Sequence, residues 1–258
     1  MKYAALASGS KGNCHALEQG GEVLLVDAGL SLLQIRKRLE AMAFPVDRVV
    51  GVALSHEHSD HIAALPVLLR RTAWPLLATS ATREALERIL GIEWPAERWV
   101  PLQAGQPLAW QGWRVLPFTV PHDAVDPVAF RVEAGGRAAA VVTDLGHPTA
   151  LVLDHCLDLD LLVLESNHDI DMLRSGDYPP HLKARILSRI GHLSNASAAE
   201  SLARVASSRL SQVVLAHLSE ANNDPELARF AALEALRGHG ARLAVASQRE
   251  PLAVPVAG

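Results

Sequence analysis

Short apolar runs separated by polar turns predict a strand-rich first half of the chain. Runs of four to eight residues rich in Val, Leu and Ala, typical of buried strands, occur at 3–7, 22–26, 49–54, 76–79, 113–120, 128–133 and 138–143. Between these runs, apolar positions repeat at helical spacing over 31–42, 60–71 and 80–90. We therefore expect strands with helical connections in this half.

After residue 144 the pattern changes to alternating strands and helices. Strands are predicted at 161–164, 212–216 and 242–246, and helices at 180–190, 197–210 and 224–237. Ser197 followed by Glu200 has the form of a helix-capping box. No composition break or internal repeat divides the chain. The pattern predicts an α/β (α+β) fold of two sheets packed face to face with helices outside, in a single domain of residues 1–258.

Composition and charge narrow the class of protein. The chain has 258 residues and a formal net charge of −4, so it is not expected to hold nucleic acid or anionic lipid by bulk attraction. With 49% apolar residues it can bury a large core. No secretory signal or apolar stretch of membrane-spanning length is present, so we expect a cytoplasmic protein with no membrane association. Cys14 and Cys156 lack a paired spacing and are expected to be small buried side chains.

The placement of the histidines points to a metal site. His56, His58, Asp60 and His61 form the string HxHxDH directly after the predicted strand 49–54. In an extended segment, His56 and His58 point to the same side. Asp60 and His61 fall where the next helix begins, so the chain turns and offers this second pair to a neighbouring point. Two adjacent metal positions are therefore predicted, whereas an HExxH pair on one helix would build only one.

Other side chains that commonly bind metals come directly after other predicted strands: Asp27, His122, Asp144 and His217. Strand ends that share one edge of a sheet bring their side chains together. A set of imidazoles and carboxylates suits Zn²⁺ or Mn²⁺ and is poorly suited to Ca²⁺ or Mg²⁺. The ligand types do not separate zinc from manganese or iron.

In order and spacing, these motifs resemble the five motifs of the metallo-β-lactamase superfamily. Within it, the chain is most similar to the small bacterial YycJ/WalJ-type proteins, on four strings: SGSKGNC at 8–14, ESNHD at 165–169, GHLSN at 191–195 and LAHLSEANN at 215–223. The resemblance covers nearly the whole chain. It implies a four-layer αββα metallo-β-lactamase sandwich, a two-metal site and phosphodiester hydrolysis, with 5′-to-3′ exonuclease action on DNA.

The resemblance also implies a role for each ligand. Two sets of three side chains would each bind one divalent ion. The first set is His56, His58 and His122, and the second is Asp60, His61 and His217. Asp144 would bridge both ions, and Asp27 would hold the loop that carries the first ligands. Two ions about 3.5–4 Å apart would lower the pKa of a bridging water, provide hydroxide as the nucleophile, and clamp the attacking and leaving oxygens. As a ligand at this centre, Asp60 is a candidate catalytic residue.

A second catalytic candidate is His192, in GHLSN. It resembles the histidine that RNase Z-like enzymes place beside the scissile phosphate, so we expect it to contact phosphate or act as a general acid. An ordinary loop histidine is the alternative. Residues 165–168 also follow a predicted strand. They are expected either to line the same edge or to cap the next segment, and are not assigned as metal ligands.

Six polar or basic residues are candidate substrate contacts: Ser10, Lys11, Asn13, Lys183, Arg185 and Asn195. The first three lie in a turn of small residues whose backbone amides could face an anion, although a tight hairpin corner has the same composition. Lys183 and Arg185 either form a track for the phosphates of DNA or lie on a solvated helix face.

Several functions are compatible with such a metal site. A glyoxalase II-like thioesterase or a small-molecule phosphodiesterase would use the same ligands, because one fold serves several hydrolytic reactions. A metal-dependent regulatory protein with little activity is a further alternative, although a structural metal site usually lacks an open position. Only 72 residues separate Asp144 from His217, too few for the cap domain of RNase J-like proteins. His192 and the basic helix before it favour a phosphate substrate. The oligomeric state is not indicated.

Overall fold

Two seven-stranded sheets organise the protein in a computed structural model that describes residues 1–256. With strands numbered in chain order, the first sheet contains β1 (Lys2–Ala7), β2 (Cys14–Gln19), β3 (Glu22–Val26), β4 (Val49–Ala53), β5 (Leu76–Thr79), β6 (Trp99–Leu102) and β14 (Leu252–Pro255). Their order is β14-β1-β2-β3-β4-β5-β6. Pairing is antiparallel from β14 to β3 and parallel from β3 to β6.

The second sheet has a similar division. It contains β7 (Leu108–Trp110), β8 (Trp113–Thr119), β9 (Val128–Ala134), β10 (Arg137–Val142), β11 (Leu161–Glu165), β12 (Gln212–Ala216) and β13 (Arg242–Val245). Their order is β13-β12-β11-β10-β9-β8-β7. Pairing is antiparallel from β7 to β10 and parallel from β10 to β13. The parallel strands of each sheet all end at one edge, where side chains from several strands can meet.

Nine α-helices connect or flank the strands in the described residues: α1 (Leu32–Ala41), α2 (Ser59–Ile62), α3 (Leu65–Arg71), α4 (Ser80–Leu90), α5 (Ala150–His155), α6 (Ile170–Ser175), α7 (Pro180–Ile186), α8 (Asn195–Val205) and α9 (Pro225–Ala235). None of these helices combines the length and apolar character that crossing a membrane requires.

Alternate residues of the central strands face two different cores. Leu24 and Val163 pack in the core between the two sheets. Their neighbours Leu25 and Leu164 face outward, under α1, α3 and α4 on one side and under α5, α8 and α9 on the other. Because strand side chains alternate between faces, a strand buried on both faces appears in the sequence as a continuous apolar run. The four-layer αββα arrangement is confirmed.

Some predicted boundaries are wrong, and short elements were missed. The sequence did not predict β2, β6, β7, β14, α5 or α6. Three of these strands lie at sheet edges, where polar residues and prolines interrupt apolar runs. The two helices have six residues each, too few to establish a helical period.

The single helix predicted over 60–71 is interrupted between α2 and α3. The Asp60 carbonyl accepts a hydrogen bond from the Asn13 amide, and the His61 carbonyl accepts one from the Ala28 amide, each at 2.7 Å. A carbonyl bonded to an outside amide is less available to the residue four positions later in a helix. The interruption therefore follows from contacts with distant parts of the chain.

The boundaries of α7 and α8 also differ from the prediction. α8 begins at Asn195, and its N-cap is Ser194, whose Oγ accepts a hydrogen bond from the Ser197 amide at 3.2 Å. The predicted cap at Ser197 is therefore wrong. α7 ends at Ile186 rather than at residue 190, because the Ile186 carbonyl accepts a hydrogen bond from the His192 amide at 3.0 Å.

Both cysteines, Cys14 and Cys156, are buried free thiols, as predicted. Burial raises the pKa of each thiol, which keeps it protonated and unreactive. The assignment of residues 1–258 to one domain stays a prediction, and its last two residues lie outside the described part of the chain.

Candidate metal centre and active site

Strand ends from both sheets supply the side chains of the candidate metal centre. Asp27 follows β3, the HxHxDH loop follows β4, Asp144 follows β10 and His217 follows β12. Asp27, Asp144 and His217 have left-handed backbones, with φ values of 62°, 57° and 55°. This conformation is uncommon outside glycine and costs on the order of 1–3 kcal/mol per residue, so it persists only where the surrounding structure enforces it. Backbone strain is thus concentrated at this site.

His56, His58 and His122 form the first ligand cluster. One ring nitrogen from each lies within 4.8 Å of the others. His122 Nε2 is 3.3 Å from His58 Nδ1, and the buried His56 Nε2 has no hydrogen-bond partner in the described residues. Nitrogens that bind one zinc ion at about 2.0–2.1 Å in tetrahedral geometry lie roughly 3.3–3.4 Å apart. The cluster has the spacing and the unpaired buried nitrogen that a metal ion would satisfy.

Asp60, His61 and His217 form the second cluster, which also lies within a 4.8 Å limit. Asp60 Oδ2 is 3.4 Å from His61 Nε2 and 3.5 Å from His217 Nε2. Because Asp60 and His61 open α2 while His217 comes from the other sheet, the cluster joins the two sheets. Its donor set of two imidazoles and one carboxylate suits the same metals as the first cluster.

Asp144 lies between the two clusters. Its Oδ2 is 3.2 Å from His61 Nε2, and its Oδ1 is 3.8 Å from His122 Nε2 and 3.7 Å from His217 Nε2. The carboxylate is buried, with 3% of the residue exposed. Asp144 is therefore within 4 Å of histidines from both clusters.

The ring nitrogens that face away from the clusters have acceptors beside them. His61 Nδ1 is 2.8 Å from Asp27 Oδ2, and His122 Nδ1 is 3.1 Å from the Gly191 carbonyl. Asp27 also accepts hydrogen bonds from the Ser55 amide at 2.8 Å and the Ser55 hydroxyl at 2.9 Å. Such contacts fix the tautomer of each histidine, so that the opposite nitrogen carries the lone pair. Asp27 therefore joins His61 to Ser55, the residue directly before the HxHxDH string.

Glu165 is the site residue whose role the sequence did not specify. It is fully buried, and its Oε1 is 2.8 Å from both His192 Nδ1 and His217 Nδ1. Its Oε2 accepts hydrogen bonds from the Leu145 amide at 2.7 Å and the Leu193 amide at 3.1 Å. Burial raises the pKa of Glu165, but His192 and His217 outweigh it and lower the pKa to about 2. The signal in the sequence was its place directly after a buried strand.

His192 lies beside both clusters and outside either set of three, but it forms a further close group with Asp144, Glu165 and His217 whose ligand atoms lie within 4.8 Å of one another. Its ring is 5.2 Å from the rings of His122 and His217, centroid to centroid, and its side chain is 21% exposed. Burial lowers the pKa of His192, but Glu165 outweighs it, and the net shift is upward. Nδ1 of His192 is hydrogen-bonded to Glu165, so Nε2 is the ring nitrogen available to contact a molecule in the site.

A cavity of about 380 Å³ opens over the metal centre. Its floor includes ligands and the candidate acid: His58, Asp60, Asp144, His192 and His217. The rest of its lining comes from loops, from the first residue of α2 and from α7: Ser10, Ser59, Asn167, Tyr178, Leu182, Arg185, Ile186 and Ser219. Of the six predicted substrate contacts, Ser10 and Arg185 line this cavity. The Arg185 guanidinium forms an ion pair with Asp123.

The other four predicted substrate contacts have different neighbours and do not line the cavity. Asn13 is buried and donates from Nδ2 to Asp60 Oδ2 at 3.1 Å, so it orients the carboxylate of this candidate metal ligand. Lys11 pairs with a surface glutamate, Glu220. Lys183 Nζ donates to the Arg174 carbonyl at 2.8 Å. Asn195 is buried and bonds to Ser166 and Asn223.

Metal binding is expected to release protons. Burial lowers the pKa of His217, but Asp144, Asp60 and Glu165 outweigh it and raise the pKa to about 10. The pKa of His61 is also raised, because Asp144 and Asp27 outweigh its burial. Both rings are therefore protonated near pH 7 without metal, and about two protons should leave when ions bind. Calorimetric zinc titrations in buffers of different ionisation enthalpy measure this number, and metal affinity should rise with pH. A binding heat that is the same in every buffer would contradict the expectation.

Comparison with known proteins relates this centre to a family. Residues 23–218 match the family model of a beta-lactamase superfamily domain. The chain is 35% identical over 240 residues to exodeoxyribonuclease YycJ of Bacillus anthracis, across 93% of this chain and 90% of that protein. It is 36% identical over 232 residues to exodeoxyribonuclease WalJ of Streptococcus pneumoniae, across 89% and 86% of the two chains. The resemblance inferred from the sequence motifs is confirmed.

Solved structures are similar in fold. The metallo-beta-lactamase fold protein YhfI of Bacillus subtilis superposes with a TM-score of 0.73 at 17% identity, covering 98% of this chain and 99% of that one. Zn²⁺-bound PqqB of Methylobacterium extorquens gives the same TM-score and the same coverage at 19% identity. These similarities confirm the metallo-β-lactamase sandwich.

Proposed function

Because the chain belongs to the beta-lactamase superfamily and is a metal-dependent hydrolase, we propose that it cleaves phosphodiester bonds of DNA as a 5′-to-3′ exonuclease. The two curated relatives, similar over most of their length, are named exodeoxyribonucleases. The observation in this structure that carries the proposal is His192. Its Nδ1 is held by Glu165 and its other nitrogen remains for the cavity, as a proton donor to a leaving oxygen requires.

The ligand geometry supports two divalent ions, Zn²⁺ or Mn²⁺, one in each cluster. When bound, they would supply a water of lowered pKa as the nucleophile and positive charge for the phosphate oxygens. Asp144 would contribute to both positions, because its carboxylate lies within 4 Å of His122 in the first cluster and of His61 and His217 in the second. Asp60 would orient the second ion, and Asn13 would hold the Asp60 carboxylate in place.

His192 would deliver the proton to the leaving oxygen. Glu165 accepts hydrogen bonds from His192 and from the ligand His217, so one buried carboxylate sets the orientation of both rings. Glu165 shifts the pKa of His192 upward, which favours the protonated ring that a general acid requires. Diester hydrolysis needs this proton because a sugar alkoxide is a poor leaving group. A thiolate leaving group needs it less, so the geometry favours a diester over a thioester.

A substrate panel tests the proposal. Metal-reconstituted protein would be assayed on 5′-labelled and 3′-labelled duplex DNA, single-stranded DNA, RNA, bis-p-nitrophenyl phosphate and S-lactoylglutathione. We expect DNA cleavage with early release of the 5′ label, dependent on added Zn²⁺ or Mn²⁺. Early release of the 3′ label would contradict the polarity. Turnover of the thioester without any diester cleavage would contradict the nuclease proposal.

Arg185 is expected to contribute to DNA affinity through charge, since it lines the cavity. Arg185→Gln should weaken binding and reduce the slope of log affinity against log salt by about one. Lys183→Gln is the matched control, because Lys183 does not line the cavity and its ammonium is directed away to the Arg174 carbonyl, so the slope should change little. Salt-dependent binding of labelled DNA, measured by anisotropy, gives both slopes. Equal slopes for Arg185→Gln and the wild type would exclude a phosphate contact by Arg185.

A further inference from the structure

One wall of the cavity is apolar, although it adjoins a polar metal centre. Tyr178, Leu182 and Ile186 line it, and we refer to them as the apolar wall. Leu182 and Ile186 lie four positions apart in α7, so one face of this helix presents both. Most of the remaining lining side chains are polar. Hydrolysis at the metal centre does not itself require an apolar surface, so the wall indicates contact with an apolar or aromatic part of the substrate.

The backbone around Tyr178 is restricted before any substrate binds. Pro179 is the N-cap residue of α7, and Pro180 is its first residue. Proline locks its own φ angle and confines the preceding residue to extended conformations. The Tyr178 side chain is partly buried, which leaves part of it accessible from the cavity. A surface held in this way loses little conformational entropy when a ligand packs on it.

The apolar wall is joined to the candidate acid. The His192 amide donates to the Ile186 carbonyl at 3.0 Å. Gly191 lies so close to the end of α7 that a Cβ there would be 2.2 Å from the Arg185 carbonyl oxygen. The helix that carries the wall and the loop that carries His192 are therefore in direct contact. A group packed on the wall would keep a constant position relative to a phosphate beside His192.

We propose that the apolar wall stacks the nucleobase of the nucleotide whose phosphate is cleaved, with the Tyr178 ring as the aromatic platform. This inference rests on the proposed function, because it takes nucleic acid as the substrate. The cavity of about 380 Å³ is near the lower end of the range for ligand pockets, roughly 300–1,000 Å³, which suits one nucleotide better than a longer stretch of strand. Every base has a π-face, so the wall should accept all four bases.

The first test separates the ring of Tyr178 from its hydroxyl. Tyr178→Ala should raise KM for single-stranded DNA about tenfold with little change in kcat, because base stacking on an aromatic side chain contributes this order of affinity. Tyr178→Phe should keep the wild-type KM, since the ring alone stacks. On an oligonucleotide whose first-removed nucleotide is abasic, wild type and Tyr178→Ala should have the same KM. A Tyr178→Ala effect that persists on the abasic substrate, or a Tyr178→Phe variant as weak as Tyr178→Ala, would overturn the proposal.

A binding measurement provides a readout that does not depend on turnover. An oligonucleotide with 2-aminopurine at the same position and phosphorothioate linkages should lose fluorescence on binding the wild type and not on binding Tyr178→Ala. Phe230→Ala is the matched control, because Phe230 is 67% exposed on α9 and does not line the cavity. If Tyr178→Ala fails to fold, Tyr178→Leu replaces it. Wild-type protein that neither binds nor cleaves DNA would contradict the proposed function, whereas unaltered quenching in the Tyr178 variant would contradict only the stacking.

Discussion

Asp144→Asn is expected to lower turnover by at least about a thousandfold, because two metal ions together supply several kcal/mol of transition-state stabilisation. The substitution keeps the shape of the side chain and removes the charge that lies between the two ligand clusters. We expect the purified variant to hold at least one metal ion fewer than the wild type. Elemental analysis gives the metal content, and cleavage of bis-p-nitrophenyl phosphate gives the turnover.

Asp158→Asn is the matched control for Asp144→Asn. Asp158 also has a left-handed backbone, with φ of 53°, but it is exposed and lies outside the cavity. The Asp158→Asn protein should retain both metal content and turnover. This result would show that the loss in Asp144→Asn comes from a missing ligand and not from replacing any aspartate with a left-handed backbone. A fully metallated and active Asp144→Asn protein would exclude the bridging role.

His192→Ala should lower turnover by about a hundredfold and leave metal content intact, because removing a general acid costs on the order of 10²–10⁴ in rate. His192 is outside both sets of three ligands, so turnover should fall while metal content stays the same; loss of a metal ion from His192→Ala would instead indicate that its group with Asp144, Glu165 and His217 holds one. His181→Ala is the control, since His181 is exposed on α7 and does not line the cavity. Turnover equal to that of the wild type would remove His192 from the mechanism.

The pH profile provides a second test of the acid. Activity should fall as pH rises through the pKa of His192, because only the protonated ring can donate. The Glu165 carboxylate raises that pKa, so Glu165→Gln should move the alkaline limb of the kcat profile to lower pH. The shape of Gln preserves most of the packing around this buried position. An alkaline limb at the same pH in both proteins would indicate that another group limits the rate.

The sequence alone was enough to select the side chains that the structure brings together in the candidate metal centre. HxHxDH is one short segment, so its geometry follows from local rules for a strand leading into a helix. Asp27, Asp144 and His217 could be recognised because each lies at the end of an apolar strand, and the parallel strands within a sheet end at the same edge. The central strands were predictable for a related reason, since burial on both faces requires continuous apolar runs.

The surroundings of the centre required the tertiary structure. Asn13 and Asn195 have side-chain amides that could bind a substrate, but both amides are used inside the protein. Asn13 bonds to Asp60, and Asn195 bonds to Asn223. Lys183 and Arg185 are two positions apart on one short helix, so they point to different sides and only Arg185 lines the cavity. Composition alone cannot distinguish these environments.

The layered fold and the choice of candidate metal ligands followed from the sequence alone, because both depend on residue type and on periodicity along the chain. Only the tertiary structure showed that Glu165 holds both His192 and His217, and that Tyr178 joins α7 in the cavity wall. These relations depend on which distant backbone and side-chain groups become neighbours when the two sheets and their helices pack. Such neighbours are separated by tens of residues, and no local spacing rule specifies them.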